Sequence, residues 1–148
     1  LDYSKTDVKH FLRLYFQEIM ELIEWGNFDS LAHLTYPLRY IVGEHHIPVE
    51  LEEFGEAIDS ILHRLAVQDK ALEINTSGLR QAIGDTLPGR ELVERFRKAG
   101  GRYLTVGSDA HRTEDLGKGL QTGYALAKDL GFGGVVRYER RRPRLFRF

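Results

Sequence analysis

The sequence contains no cysteine. That absence excludes disulfide scaffolds, thiol nucleophiles and cysteine-ligated zinc, and it fits a reducing, cytoplasmic setting. Metal chemistry in such a chain must rest on histidine and carboxylates. An excess of one charge is also missing, since 21 Lys and Arg stand against 22 Asp and Glu, a net charge of -1. With no global field to draw nucleic acid or an anionic membrane, anion binding has to be local. No apolar run approaches the about 20 residues of a membrane span, and the opening residues do not read as a basic-then-apolar leader, so neither insertion nor export is expected. No glycine-rich loop follows a first strand, which leaves a dinucleotide-binding unit without support. Methionine occurs once, as Met20 within a helical pattern, and the first residue is Leu1, which together predict a piece of a longer chain.

What is present is the composition of a globular domain: 42% hydrophobic, 11% aromatic and 29% charged residues in a chain of 148. One folding unit over residues 1–148 is the expectation. In 6–25, Val8, Leu12, Phe16, Ile19, Met20 and Ile23 recur at three- and four-residue steps, which predicts an amphipathic helix with Thr6 as N-cap and Gly26 at its exit. Residues 28–34 read as a short buried strand, 49–66 as a second helix, and 71–75 as a second strand. The alternation continues with a helix over 89–98, a strand over 103–107 and a helix over 116–130. Short apolar strands separated by helices form a parallel sheet, either open or closed as a (β/α) barrel. The last residues carry Arg137, Arg140, Arg141, Arg142, Arg144 and Arg147 around Pro143 and read as a hairpin or edge strand. Those arginines either solvate an edge against aggregation or contact phosphate.

In such a sheet chemistry collects where the strands end, because side chains from several strands converge there. The first strand ends in Ala32-His33-Leu34, the second carries Glu73 and ends at Asn75, and the third ends in Ser108-Asp109-Ala110-His111. Asp109 and His111 leave one strand end together and can hold a hard divalent ion. Taken singly, His33 reads equally as a hydrogen-bonded core residue, Asp109 as a helix cap and His111 as a surface residue. His10 and His63 fall on helices, and His45-His46 lie in a loop where neighbouring side chains diverge. Arg39 and Arg80 lie just beyond the first two strand ends, where paired guanidinium groups suit a phosphate monoester. Together these residues describe a metal-dependent phosphoryl hydrolase.

The segments DSLAHL (29–34), EINTSGLR (73–80) and GSDAHRTEDLGKG (107–119) resemble the polymerase and histidinol phosphatase (PHP) superfamily, and within it the histidinol-phosphatases. Their order and spacing look like the C-terminal half of such an enzyme, so that residues 1–148 would be a partial PHP domain. The resemblance implies the C-terminal part of a distorted seven-stranded (β/α) TIM-like barrel, with up to three metals, zinc, manganese or iron, at the strand ends. It further implies that His33, Asp109 and His111 are metal ligands, with Asp109 and His111 serving catalysis. Arg39 and Arg80 would contact the substrate phosphate, and Glu73 and Asn75 would orient substrate. A His-x-His pair, further histidines and a bridging glutamate would precede this region. The implied substrate is L-histidinol phosphate, in histidine biosynthesis. The alternatives are a nucleotide or oligonucleotide as substrate, or a non-catalytic half-barrel that acts by pairing with a second chain.

Overall fold

The computed structural model describes residues 3–148. Helix α1, Val8–Trp25, buries Leu12, Phe16 and Ile23 on one face. Its N-cap is Asp7 rather than Thr6: the Asp7 carboxylate accepts the His10 N–H at 3.0 Å, the ordinary work of an N-cap side chain. Gly26, at φ 71°, closes the helix and donates its N–H to Leu22.

The first expected strand is much shorter than residues 28–34. Only Ser30–Leu31, β1, pairs with the sheet, because the chain turns away at His33, whose φ is 35°. A six-residue π-helical stretch follows, Arg39–Glu44, which the sequence pattern did not announce. The second helix begins as a 3-10 turn, Leu51–Phe54, and continues as α2, Gly55–Val67, with Ile58, Ile61, Leu62 and Leu65 fully buried. Strand β2, Ala71–Asn75, and helix α3, Arg90–Lys98, lie where expected. Strand β3 is Leu104–Gly107. Residues 116–119 stay outside the last helix, α4, Leu120–Asp129, since Gly117 and Gly119 both take left-handed φ.

The sheet is parallel in the order β1-β2-β3. Alternation gives it two unlike faces. Leu31, Leu72, Ile74 and Leu104 are buried on one side with the apolar faces of α1, α2 and α3. Helix α4 joins them at Gly123, where a Cβ would fall 2.5 Å from the Val106 side chain, so only glycine permits this approach. The other face carries Ser30, Ala71, Glu73, Asn75, Thr105 and Gly107. There the Ser30 and Thr105 hydroxyls meet at 2.8 Å across the middle strand, over the small Ala71 side chain.

The expected terminal hairpin is present as β4, Gly134–Glu139, and β5, Arg142–Arg147. Its turn residues Arg140 and Arg141 both have positive φ, and Arg141 is held by Asp29 at 3.2 Å and by Asn27. The described strands therefore form a parallel α/β sheet covered by helices, as expected, and a separate antiparallel ribbon. Among the described residues β4 pairs with β5 and not with β3, so the parallel sheet is three strands wide.

Tyr15 on α1 ties the helix to the end of β1 by donating its hydroxyl to the Leu34 carbonyl at 3.1 Å. Burial, with a smaller contribution from Tyr36, pushes its hydroxyl up to about 12. Burial above all does the same for Tyr138. An unfolded tyrosine titrates near 10, so between about pH 10 and 12 the unfolded state loses protons that the folded state keeps. Stability is therefore intact below pH 10 and falls as pH rises through that window, by at most about 1.4 kcal/mol per pH unit for each group. Denaturant melts of Tyr15→Phe should show a flatter loss over this range than the wild type; equal slopes would contradict the assignment to Tyr15.

Candidate active site

Glu73 stands mid-strand on the polar face. Its Oε2 accepts the backbone N–H of His33 at 3.0 Å and the Asn75 side-chain amide at 3.1 Å. The register sets Glu73 beside Thr105 and Asn75 beside Gly107. A Cβ on Gly107 would lie 2.4 Å from Glu73 Oε1, so the carboxylate occupies space that any other residue would fill. Asn75 is buried, and its Oδ1 accepts the Ser77 N–H at 2.9 Å, which fixes the amide with its donor end toward Glu73.

At the end of β1 the turn through His33 is closed by the Tyr36 N–H, which donates to the His33 carbonyl at 2.8 Å. The His33 and Tyr36 rings sit 5.0 Å apart. Tyr36 and Tyr40, one helical turn apart, join hydroxyls at 3.1 Å, and the Arg39 guanidinium lies over both rings at 4.9 and 5.1 Å. Among the described residues, Arg39 makes no ion pair, so its planar fork is held by aromatic faces while its donors stay available. The hydrogen bond with Tyr40 raises the Tyr36 hydroxyl above the usual phenol range, burial adds to this, and the Asp109 carboxylate acts in the same direction against Arg39.

The third strand end is organised by Arg80, at the close of the 3-10 turn Ser77–Arg80. Its Nη1 donates to the Ser108 carbonyl at 2.7 Å and its Nη2 to the Asp109 carbonyl at 2.9 Å. Asp109 has φ 47°, and its carboxylate lies 3.4 Å from His111 Nε2. The Asp109 side chain is 25% exposed and that of His111 is 82% exposed, so the imidazole stands in solvent. His33 and Asp109, two of the three residues expected to bind metal, thus share a left-handed backbone that non-glycine residues adopt at a cost.

The expected residues fall into two sets of contacts: His33, Glu73 and Asn75 with Tyr36 and Arg39, and Arg80 with Asp109 and His111. Tyr36 and Tyr40 went unnoticed in the sequence, although the spacing Tyr-x-x-Arg-Tyr places both rings beside the arginine. His10 and His63 do fall on helices, and His46 is in a loop. The donor chemistry of the cluster suits a borderline divalent ion. A complete shell does not form, since among the described residues no three His, Asp or Glu side chains converge to hold a metal. Gly107→Ala should displace Glu73 and release the His33 turn, lowering stability by about 1–3 kcal/mol. In a double-mutant cycle with Glu73→Ala much of that cost should vanish; strictly additive losses would show that the two positions do not interact.

No family model matches the chain. A Thermotoga maritima protein named "Probable histidinol-phosphatase" is 38% identical over 109 residues, 74% of this chain and 44% of that protein. The histidinol-phosphatase of Lactococcus lactis subsp. lactis is 30% identical over 122 residues, 81% of this chain and 44% of its own. A likeness of fold is seen with the crystal structure of the Lactococcus lactis histidinol phosphate phosphatase complexed with zinc, L-histidinol and phosphate. Its TM-score is 0.68 at 21% identity, covering 89% of this chain and 50% of that one. The chain spans about half the length of the relatives it matches. Sequence and fold together make this chain a relative of the histidinol-phosphatases, similar along most of its own length to about half of theirs.

Proposed function

We propose that the protein is a metal-dependent phosphomonoesterase that hydrolyses L-histidinol phosphate to L-histidinol and phosphate, a step of histidine biosynthesis in the cytoplasm. The observation that carries the reading is that His33, Arg39, Arg80 and Asp109 all lie in the turns that follow three neighbouring parallel strands, with Arg80 bonded to the Asp109 carbonyl. It is supported by the relatives named for that reaction and by the zinc, histidinol and phosphate in the Lactococcus structure.

His33, Asp109 and His111 are assigned as metal ligands. A zinc site takes at least three protein ligands, so the reading requires donors besides the Asp109-His111 pair of the third strand end. When bound, the ion supplies charge neutralisation for phosphoryl oxygens and acidifies water toward neutral pH. The chain's own residues bind and orient. Arg39, held flat by Tyr36 and Tyr40, offers a fork to two phosphate oxygens. Arg80 spends one donor of each Nη on loop carbonyls and can offer what remains to the same phosphate while it holds the loop. Glu73 and Asn75 fix the floor beneath them.

Phosphate release from histidinol phosphate with zinc, manganese or iron tests the proposal, and its absence with all three would overturn it. Release from nucleotides but not from histidinol phosphate would favour the nucleotide reading of the same cluster. His33→Ala should abolish turnover, and Asp109→Ala should lower both metal content and rate. Charge-assisted hydrogen bonds contribute about 1.5–3 kcal/mol, so Arg39→Ala should raise KM by roughly 10- to 100-fold with a smaller fall in kcat, and Arg39→Lys should lie between. Unchanged kinetics in Arg39→Ala would remove the arginine from the site.

A further inference from the structure

The loop from Ser108 to Gly119 carries Asp109 and His111, yet nearly all of its later side chains face solvent. From His111 to Lys118 every residue is exposed except Asp115. The short turn Thr113–Asp115 brings that one carboxylate inward, where its side chain is 19% exposed. There it meets two cations: Lys118 Nζ donates to Oδ1 at 3.0 Å, and Arg80 Nε approaches the same oxygen at 3.6 Å. The loop is pinned again nearby, since the Thr76 hydroxyl donates to the Lys118 carbonyl at 2.8 Å and the Gly117 N–H donates to Ser108 Oγ at 3.2 Å.

Arg80 is what links this staple to the strand end. Its Nε side faces Asp115, and its two Nη atoms face the carbonyls of Ser108 and Asp109. A guanidinium is planar and rigid, so fixing one side fixes the direction of the other two nitrogens. Without a carboxylate at Nε, Arg80 and Lys118 would lose the anion they share, and the guanidinium would be free to turn. Such a turn of the guanidinium would release both carbonyls and the left-handed backbone they help to hold.

We propose that Asp115 is a positioning residue of the phosphate site: it fixes Arg80 so that the guanidinium grips the Ser108 and Asp109 carbonyls, aims the Asp109 loop, and keeps its remaining donors directed at the substrate phosphate. The catalytic part of this assignment rests on the phosphatase reading; the clamp on the loop does not. Nothing in the chain's own geometry makes Asp115 touch substrate, so its effect must pass through Arg80.

The test is a set of variants of the purified protein, Asp115→Asn, Asp115→Glu and Arg80→Ala, followed by metal-supported phosphate release and by backbone amide exchange over 108–118. Asp115→Asn keeps the size and removes the charge. It should raise KM for histidinol phosphate by about 10-fold with a smaller change in kcat, the size of one lost charge-assisted contact. Asp115→Glu should recover most of that loss. In an Arg80→Ala background Asp115→Asn should have no further effect on kcat/KM, whereas a brace that merely stabilises the fold would lower stability additively and leave KM alone. Exchange of the Gly117 and Lys118 amides should quicken by about 10-fold in Asp115→Asn. If the wild type releases no phosphate, the phosphatase reading fails, and the exchange result alone decides the clamp. If exchange and KM both match the wild type in Asp115→Asn, the proposal is overturned.

Discussion

A carboxylate on the middle strand of a parallel sheet must find its donors on the neighbouring strands or on its own, and Glu73 does both. It takes the His33 N–H from the end of β1 and the Asn75 amide from β2, and it fits only because β3 offers Gly107 beside it. A partly buried carboxylate needs such donors, and the one from β1 lies just past the point where β1 stops pairing. The short first strand and the left-handed turn at His33 are tied to that group by the His33 N–H, and the chain leaves from there into the Tyr36, Arg39, Tyr40 segment.

The two arginines expected to share a role are held differently. Arg39 rests on aromatic faces, which leave a guanidinium's hydrogen-bonding edge free. Arg80 is engaged on three sides by two carbonyls and Asp115, which makes it a structural tie before it is a ligand for anything else. Both placements depend on short turns after strands: the π-helical stretch for Arg39 and the 3-10 turn for Arg80. The hydrophobic face of the same sheet supplies the rigidity, through fully buried Leu72, Ile74 and Leu104 beneath the helices.

The elements governed by apolar periodicity were legible in the sequence. Helix α1, with buried residues at 12, 16 and 23, and strand β2, bounded by Lys70 and the turn at Thr76, stand close to where the pattern puts them. What the pattern missed was set by polar contacts at a distance in sequence. The end of β1 is tied to a carboxylate 40 residues away. The start of α4 depends on loop 108–119, pinned by Thr76 and Arg80 from another strand end. Thr6 and Asp7 are both good caps by residue type, and only the position of the His10 N–H chooses between them. The candidate site was readable as a list of residues on successive strand ends. The tyrosines that seat Arg39 and the carboxylate that seats Arg80 were not, because ring stacking and charge balance between turns leave no periodic trace.

The central claim is that His33 and Asp109, on two different strand ends, share a metal centre. Anomalous diffraction from crystals grown with zinc measures this directly. The account predicts anomalous peaks about 2.0–2.2 Å from a His33 ring nitrogen and from an Asp109 carboxylate oxygen. Zinc found only at His10, His45, His46 or His63, with none at His33 and Asp109 in a fully loaded crystal, would contradict it.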